Sequence, residues 1–263
     1  MADNASTSER LVVDDIAKSF GGVLALTGVG LTARSGQILS IIGPNGAGKT
    51  TLINMISGVY PPNRGRVLLD GKDITRLPAY RVAQRGIART FQNVALFRGM
   101  TVLQNIMLGR NTHMRSGVLS CGLYWGGAKR EEIKHRRVVE EIIDFLEITA
   151  IRTTPVGALP LGLQKRVELG RALAAEPRVL MLDEPMGGMN LEEKESMARY
   201  ILDVVETHDT AVMLIEHDMG VVMDISDHII VLDQGQKIAE GTPQVVRSTP
   251  AVIEAYLGKT HAA

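Results

Sequence analysis

A glycine-rich segment ending in a lysine and a threonine carries the most specific chemistry in this sequence. The segment reads Gly43-Pro44-Asn45-Gly46-Ala47-Gly48-Lys49-Thr50 and is followed by Thr51. Glycines let successive backbone N–H groups turn inward around phosphate oxygens, while Lys49 can reach the β- and γ-phosphates and Thr50 can ligate magnesium. The stretch from Lys49 to Ser57 predicts a helix whose N terminus adds partial positive charge. The pattern therefore predicts a nucleoside triphosphate site, and the alternative is an ordinary glycine-rich turn.

A pair of carboxylates supplies the second part of this chemistry. The apolar run from Val179 to Leu182 predicts a buried strand that ends in Asp183 and Glu184. Such a strand end would bring Asp183 near a magnesium ion, and Glu184 would orient or polarise the water that attacks the γ-phosphate. A buried strand running into an acidic turn is common by itself. In the same chain as the phosphate loop, it indicates nucleotide hydrolysis.

Two further polar residues are less specific. His217 follows another apolar run, Val212 to Ile215, and would lie beside the strand end that carries Glu184. There it could contact the γ-phosphate, although a histidine after a strand is more often a packing or capping residue. Gln92, which follows Arg89-Thr90-Phe91, is equally ambiguous when taken alone.

Composition excludes several classes of protein. The 263 residues contain 29 Lys plus Arg and 29 Asp plus Glu, so no net field attracts nucleic acid. The segment from Met1 to Arg10 is polar, and no apolar run approaches the roughly 20 residues that span a bilayer. The single cysteine, Cys121, excludes an internal disulfide and offers no metal cluster. We expect a soluble, cytosolic chain.

The elements that must position these residues indicate an α/β fold. Four compact apolar runs separated by helical segments predict parallel strands buried on both faces: Ile38 to Ile42, Val179 to Leu182, Val212 to Ile215 and Ile229 to Leu232. Leu11 to Ile16 and Arg66 to Leu69 are short β-prone runs bounded by turn residues such as Asp70-Gly71, and they predict an antiparallel element. We therefore predict a P-loop NTPase core with a mainly parallel sheet and an antiparallel β subdomain.

A helical subdomain is predicted within this core, over about residues 93–177 of a single domain spanning 1–263. Thr101 begins a helix, with Gln104 three residues later completing a capping box, and Lys129 to Phe145 has the pattern of a long charged helix. The connection from Asn111 to Gly127 is long for a compact domain and contains Trp125. Contact of Trp125 with a partner and its burial in the subdomain remain alternatives.

The order of these motifs resembles the nucleotide-binding subunit of ATP-binding cassette (ABC) transporters over nearly the whole chain. The order is Phe20, the phosphate loop, Gln92, a helical region, Gly162-Leu163-Gln164 at a helix start, Asp183-Glu184 and His217. This resemblance implies ATP and Mg²⁺ as cofactors.

The resemblance also implies a role for each matching residue. Phe20 would stack on adenine, although core packing is the alternative for this residue. Gln92 would link the γ-phosphate and the magnesium ion, which is also bound by Thr50 and Asp183, to the membrane domain. Glu184 would be the catalytic carboxylate and His217 the switch histidine. Gly162 and Gln164 would belong to the signature that meets nucleotide bound to the opposite subunit.

Within the family, three phrases resemble the branched-chain (hydrophobic) amino acid importer subgroup: Arg89-Thr90-Phe91-Gln92, Leu96-Phe97 and Glu254-Ala255-Tyr256-Leu257-Gly258. The implied partners are permease subunits in the membrane, a second ABC ATPase subunit and a periplasmic or extracellular substrate-binding protein. The chain would sit peripherally on the cytoplasmic side of the cell membrane. Subgroup members also carry urea, amides or aromatic acids, so a hydrophobic amino acid is the leading prediction for the cargo.

One departure from the family pattern changes the prediction for the assembly. The family signature places Ser-Gly-Gly-Gln at a helix start, whereas this chain reads Pro160-Leu161-Gly162-Leu163-Gln164 from the serine position onward. Pro160 removes one hydroxyl and one N–H donor, although proline suits a helix N terminus. We therefore expect a heterodimer in which the site built on this chain's own Lys49 and Glu184 is the better hydrolytic site.

Three functions remain in competition from the sequence. The first is an ATPase subunit that couples Mg-ATP hydrolysis to a membrane permease. The second is a nucleotide-binding regulatory subunit that supports an active partner, as the altered signature suggests. The third, a soluble cassette ATPase acting on DNA or ribosomes, is disfavoured by the balanced charge and the lack of a basic arm.

Overall fold

The computed structural model describes residues 8–92, 94–113 and 127–257, with the side chains of 127–130 and 257 excepted. Cys121, Trp125, Gly258 and most of the predicted connection between 111 and 127 lie outside the described residues.

Ten strands and nine helices are found in the described part of the chain. The strands are β1 (Glu9–Phe20), β2 (Val23–Arg34), β3 (Ile38–Ile42), β4 (Arg64–Leu69), β5 (Lys72–Asp73), β6 (Ile87–Arg89), β7 (Val179–Asp183), β8 (Ala211–Ile215), β9 (His228–Asp233) and β10 (Gln236–Gly241). The helices are α1 (Lys49–Ile56), α2 (Ala79–Gln84), α3 (Val102–Leu108), α4 (Gly127–Phe145), α5 (Leu161–Leu173), α6 (Leu191–Thr207), α7 (Met219–Ile225), α8 (Pro243–Ser248) and α9 (Pro250–Leu257). Short 3₁₀ turns span Gly109–Thr112, Thr149–Ile151 and Val156–Ala158.

The predicted parallel core is confirmed. Six strands form a sheet in the order β10-β9-β3-β8-β7-β6, in which only the β9–β10 pair is antiparallel. Every residue of β3, β7 and β8 is buried, as expected of apolar strands covered on both faces. Because these strands are parallel, their carboxyl ends meet at one edge of the sheet. The loops that follow them are therefore brought together there.

The predicted antiparallel element is also confirmed and is more extensive than its apolar runs indicate. Four strands pair in the order β2-β1-β4-β5. Asp70 and Gly71 join β4 to β5 with φ values of 47° and 73°, the left-handed pair that a tight two-residue hairpin requires. The P-loop NTPase fold class predicted from the sequence is thus the observed one.

The chain divides into two compact units. The first comprises 1–89, 178–184 and 201–263 and holds both sheets, and the second comprises 90–177 and 185–200 and is helical where described. The division falls within α6. In the described parts of the chain, no helix is both long enough and apolar enough to cross a membrane.

In the second unit, α3 is capped at its start and packs closely against α5 at its end. The predicted capping box is present: the Thr101 hydroxyl accepts a hydrogen bond from the Gln104 N–H, and the Gln104 side chain accepts from the Thr101 N–H. At the other end of α3, a Cβ on Gly109 would lie 2.1 Å from the carbonyl oxygen of Arg171 in α5. The backbones of these two segments therefore approach as closely as glycine allows.

We expect Gly109→Ala to lower the free energy of unfolding by about 1–3 kcal/mol, because the added methyl group forces the two backbones apart. Gly99→Ala is the matched control, since a Cβ at Gly99 meets open space and its φ is not left-handed. Thermal or urea unfolding of the two purified variants measures the difference. Equal midpoints for both would contradict the close approach.

Candidate nucleotide-binding and hydrolytic site

The phosphate loop lies between β3 and α1 and depends on glycines with left-handed backbone angles. Gly43, Gly46 and Gly48 have φ values of 148°, 81° and 101°. A Cβ on Gly43 would lie only 2.0 Å from the carbonyl oxygen of Leu232, so no other residue fits at this position. The loop thus combines unusual backbone angles with close packing, which is the arrangement in which backbone N–H groups are turned toward an anion.

Backbone carbonyl groups of the phosphate loop hold the Lys49 side chain in place. Its Nζ donates hydrogen bonds to the carbonyl oxygens of Gly43 at 2.6 Å and Pro44 at 3.1 Å, and the residue is only 8% exposed. Burial lowers the pKa of Lys49, while the negative charges of Glu184 and Asp183 act in the opposite direction. The ammonium group is therefore positioned by the loop and electrostatically supported by the carboxylates at the end of β7.

Asp183 ends β7 and is paired with Arg89, which ends β6. The Arg89 Nη2 donates to the Asp183 Oδ2 at 2.8 Å, and the Arg89 Nη1 donates to the Asn54 Oδ1 in α1 at 2.6 Å. The Arg89 and Asp183 side chains are 10% and 6% exposed. Arg89 thus connects two strand ends to the helix that follows the phosphate loop.

Sequence reasoning did not assign Arg89 this role. The signal for it lies in strand pairing: β6 and β7 run parallel with Arg89 opposite Met181, so the last residues of both strands reach the same edge. That pairing joins segments about ninety positions apart in the chain, and the short β6 carries too weak a pattern to reveal it.

Glu184 and His217 lie together, as predicted from their positions after neighbouring strands. The His217 Nε2 and the Glu184 Oε1 are 2.6 Å apart. Glu184 has a φ of 52°, which is uncommon for a residue other than glycine, and its N–H donates to the carbonyl oxygen of Ile215 at 2.9 Å. Backbone outliers of this kind concentrate at functional sites.

The oxygen donors fit Mg²⁺. Thr50 is exposed in the first turn of α1, and Asp183 supplies a carboxylate at the end of β7, on the same sheet. Among the residues that the structure describes, no group of three or more His, Cys, Asp or Glu side chains is arranged to bind a metal. Mg²⁺ is usually bound through one or two carboxylates and completes its shell with nucleotide phosphates and water, so Thr50, Asp183 and Gln92 remain the predicted donor set.

Phe20 ends β1 and is 46% exposed, so the alternative of core packing does not describe it. Its ring packs edge-on against Tyr60 with the centroids 5.3 Å apart, and the Lys18 Nζ lies 5.3 Å from its centroid. An exposed ring fixed by neighbours is suited to stacking on a nucleobase.

Gln92 belongs to the second unit, where it is exposed and the chain on both sides of it is held by α5. The N–H groups of Phe91 and Ala95 each donate to the Glu168 Oε1 at 3.3 Å, and the Arg171 Nη1 donates to the Ala95 carbonyl oxygen at 2.6 Å. Burial raises the pKa of Glu168, an effect that the donating N–H groups oppose.

The altered signature also belongs to the second unit. Pro160 is the N-cap of α5 and lacks a side-chain capping bond. The Gln164 Nε2 donates to the Leu159 carbonyl oxygen at 2.7 Å, and a Cβ on Gly162 would lie 2.3 Å from the Glu193 Oε1. Gly162 is therefore packed against a carboxylate, and Leu161 beside it is 45% exposed.

Of the residues selected from the sequence, the phosphate loop, Phe20, Asp183, Glu184 and His217 lie in the first unit, and Gln92, Gly162 and Gln164 lie in the second. The interaction of Lys49 with the two carboxylates and the contact of Glu184 with His217 place the hydrolytic candidates of the first unit around the parallel edge of its sheet. A phosphate loop and a strand-end carboxylate pair at such an edge define a P-loop ATPase.

The chain belongs to the ABC transporter family, whose model matches residues 26–187. A second model, described as the branched-chain amino acid ATP-binding cassette transporter, matches residues 236–262. The chain is 41% identical to the high-affinity branched-chain amino acid transport ATP-binding protein BraF of Pseudomonas aeruginosa, over 95% of this chain and 98% of that protein. It is 38% identical to the protein LivG of Escherichia coli, which carries the same description, over 95% and 98% of the two chains.

Solved structures agree with this assignment. An ATP-binding cassette of an ABC transporter in its ADP conformation superimposes with a TM-score of 0.83 at 33% identity, covering 96% of this chain and all of that one. A nucleotide-free cassette of an ABC transporter gives a TM-score of 0.82 at 34% identity over 95% of this chain and all of that one. The predicted family, fold and ATPase activity of an importer subunit are confirmed, and the chain is a nucleotide-binding cassette.

We expect Arg89→Met to lower the free energy of unfolding by about 3–5 kcal/mol, because it removes a partner from the buried carboxylate of Asp183. Adding Asp183→Asn to this variant should recover part of the loss, since the carboxylate charge is then absent too. The control is Arg64→Met, which breaks an ion pair with Asp15 whose side chains are 63% and 56% exposed and should cost about 0–1 kcal/mol. Urea unfolding of these three variants and of Asp183→Asn alone gives the coupling, and strictly additive effects of the two buried changes would refute it.

Proposed function

We propose that this chain hydrolyses Mg-ATP at the site built on Lys49, Asp183 and Glu184 and couples that reaction to a membrane permease for branched-chain or other hydrophobic amino acids or related small solutes. The observation that carries the hydrolytic assignment is the 2.6 Å contact between Glu184 and His217 at the strand edge beside Lys49. The cargo is supported by the names of BraF and LivG, which describe branched-chain amino acid transport, and by the family match over residues 236–262.

In this proposal each residue of the first unit has a separate task. The backbone N–H groups of the phosphate loop and the Lys49 ammonium bind the β- and γ-phosphates, and Phe20 stacks on the adenine. Thr50 and Asp183 would hold Mg²⁺, which would offset phosphate charge. Glu184 orients the attacking water and accepts a hydrogen bond from it, while His217 holds the Glu184 carboxylate and contacts the γ-phosphate. The water oxygen forms a bond to the γ-phosphorus as the bond from that phosphorus to the β–γ bridging oxygen breaks, a proton of the water passes to Glu184, and inorganic phosphate and ADP are the products.

The residues of the second unit complete the proposed cycle. Gln92 would link the γ-phosphate and Mg²⁺ to the permease, and its segment is supported by Glu168 and Arg171. Gly162 and Gln164 face nucleotide bound to a second ATPase subunit. We retain the interpretation of the chain as one ABC ATPase domain over 1–263 with an inserted helical subdomain at about 93–177.

The full system would contain a second, different ATPase subunit, membrane permease subunits and a periplasmic or extracellular substrate-binding protein, with this chain peripheral on the cytoplasmic side of the membrane. Membership of a transporter family supports a permease partner. The altered signature supports a heterodimer, because Pro160 impairs the partner's nucleotide site and leaves the site of this chain intact.

We expect Glu184→Gln to reduce ATP turnover of the assembled transporter by about a hundredfold or more, because the amide cannot act as a base toward the attacking water. ATP binding should be retained. Glu206→Gln, a change at an exposed position of α6, is the control and should leave turnover unchanged. Normal turnover in Glu184→Gln together with normal ATP binding would instead support the regulatory-subunit alternative, which the altered signature favours.

We expect Pro160→Ser to raise turnover by about two- to tenfold, the effect of regaining one hydroxyl and one N–H donor for the partner's nucleotide. Pro155→Ser is matched to it, since Pro155 is also exposed and caps a short helical turn with an extended backbone. Steady-state hydrolysis by the heteromeric complex measures both. Hydrolysis at two equal sites by a purified homodimer, at rates normal for a transporter, would refute the heterodimer.

A further inference from the structure

The chain segment that contains Gln92 is bound on both sides by one buried carboxylate of the second unit. The Glu168 Oε1 in α5 accepts hydrogen bonds from the N–H groups of Phe91 and Ala95, each at 3.3 Å. Phe91 lies one position before Gln92 in the chain, and Ala95 lies three positions after it. The backbone on either side of the proposed permease link is therefore held at a single oxygen atom.

Glu168 is an unusual residue for the interior of a helix. It is only 3% exposed, and carboxylates rarely occupy such positions unless hydrogen bonds or opposite charges compensate them. Besides the two N–H groups, the Arg171 Nη2 lies 3.7 Å from the Glu168 Oε1, and the Arg171 Nη1 donates to the Ala95 carbonyl oxygen at 2.6 Å. Because Arg171 follows Glu168 by one turn, α5 presents an acceptor and a donor side by side to this segment.

The far end of the same segment is bound by α3. The fully buried Asn105 side chain accepts a hydrogen bond from the Phe97 N–H at 2.9 Å and donates one to the Phe97 carbonyl oxygen at 3.1 Å. The end of α3 and α5 are in close backbone contact, since a Cβ on Gly109 would lie 2.1 Å from the Arg171 carbonyl oxygen. The segment is therefore attached to two helices that are packed tightly against each other.

Glu168 belongs to the helix that begins at the altered signature. This helix, α5, has 13 residues from Leu161 to Leu173, and Glu168 lies about two turns from its start. In its first turn, a Cβ on Gly162 would lie 2.3 Å from the Glu193 Oε1, so the start of the helix is also closely packed. A helix of this length moves as one rigid element, and a displacement at the signature would therefore be transmitted to Glu168.

We propose that Glu168 is a positioning residue for Gln92: its carboxylate holds the backbone on both sides of Gln92 against α5, so the helix that begins at the altered signature sets the position of the proposed permease link. The inference rests on the proposed function, in which Gln92 links the γ-phosphate and Mg²⁺ to the permease. It names the side chain through which nucleotide at the signature would influence that link. Because Glu168 binds backbone groups of the second unit, and the phosphate loop belongs to the first, its loss should lower turnover rather than ATP affinity.

The test is Glu168→Met in the assembled transporter, with Glu168→Gln as the conservative variant. Methionine has a similar length but offers the Phe91 and Ala95 N–H groups no oxygen acceptor, whereas glutamine keeps one. We expect Glu168→Met to lower kcat by about five- to hundredfold, the range for one unsatisfied buried donor, and to leave the KM for ATP unchanged. Glu168→Gln should restore kcat to within about threefold of the parent chain. Calorimetry on the purified chain should give the same ATP affinity for both variants and the parent.

Val139→Ala separates positioning from stability. Val139 lies in α4 of the same unit and is fully buried, so its truncation should lower the melting temperature and leave kcat unchanged. If Glu168→Met lowers kcat no more than Val139→Ala does, or if Glu168→Gln gives no rescue, the positioning role is overturned. If Glu168→Met does not fold, Arg171→Met takes its place, because Arg171 is 18% exposed and its loss removes the hydrogen bond to the Ala95 carbonyl oxygen. It should lower kcat in the same way.

Gln92→Ala separates failure of this inference from failure of the proposed function. If Glu168 acts through Gln92, adding Glu168→Met to Gln92→Ala should lower kcat no further. Effects of the two changes that multiply independently would overturn the positioning role, as would a parent-like kcat for Glu168→Met beside an impaired Gln92→Ala, and the proposed function then stands. A parent-like kcat for Gln92→Ala would show instead that the role proposed for Gln92 is wrong, and the inference fails with it.

Discussion

A buried ammonium group needs oxygen ligands and nearby negative charge, and the arrangement around Lys49 supplies both. Two backbone carbonyls from the phosphate loop accept its hydrogen bonds, and the carboxylates of Asp183 and Glu184 raise its tendency to stay protonated against the effect of burial. The carbonyls depend on the unusual backbone of Gly43, and the carboxylates depend on the parallel pairing of the sheet. The geometry of the loop and that of the sheet edge are therefore linked through one side chain.

The same edge has to accommodate buried carboxylates of its own. Asp183 is compensated by Arg89, whose second nitrogen reaches Asn54 in the helix after the loop. A buried charge pair of this kind adds little to the net free energy of unfolding, because desolvation offsets much of the attraction. Its main effect is to favour one relative position of the segments that carry the two charges. Here the pair fixes the spacing between the strand that carries the carboxylates and the helix that begins at Lys49.

The second unit uses a comparable device for the segment that contains Gln92. Glu168 and Arg171 extend from α5 and bind backbone groups of that segment, and α5 is also the helix that begins with the altered signature. A displacement of α5 would therefore also move the backbone around Gln92. The close approach at Gly109 ties the end of α3 to the same helix. Within this unit, the proposed permease link and the proposed contact with a partner's nucleotide share one rigid element.

The sequence by itself determined the local features whose chemistry is written in adjacent residues. The glycines before Lys49, the capping box at Thr101 and the apolar runs of the core strands each carry a signal that short-range sterics and periodicity explain. Only the tertiary structure decided which distant groups meet. Arg89 meets Asp183 because strand pairing brings together segments that are far apart in the chain. Such a contact leaves no local pattern in the sequence, since arginine and aspartate are common residue types and only the fold buries these two side chains against each other.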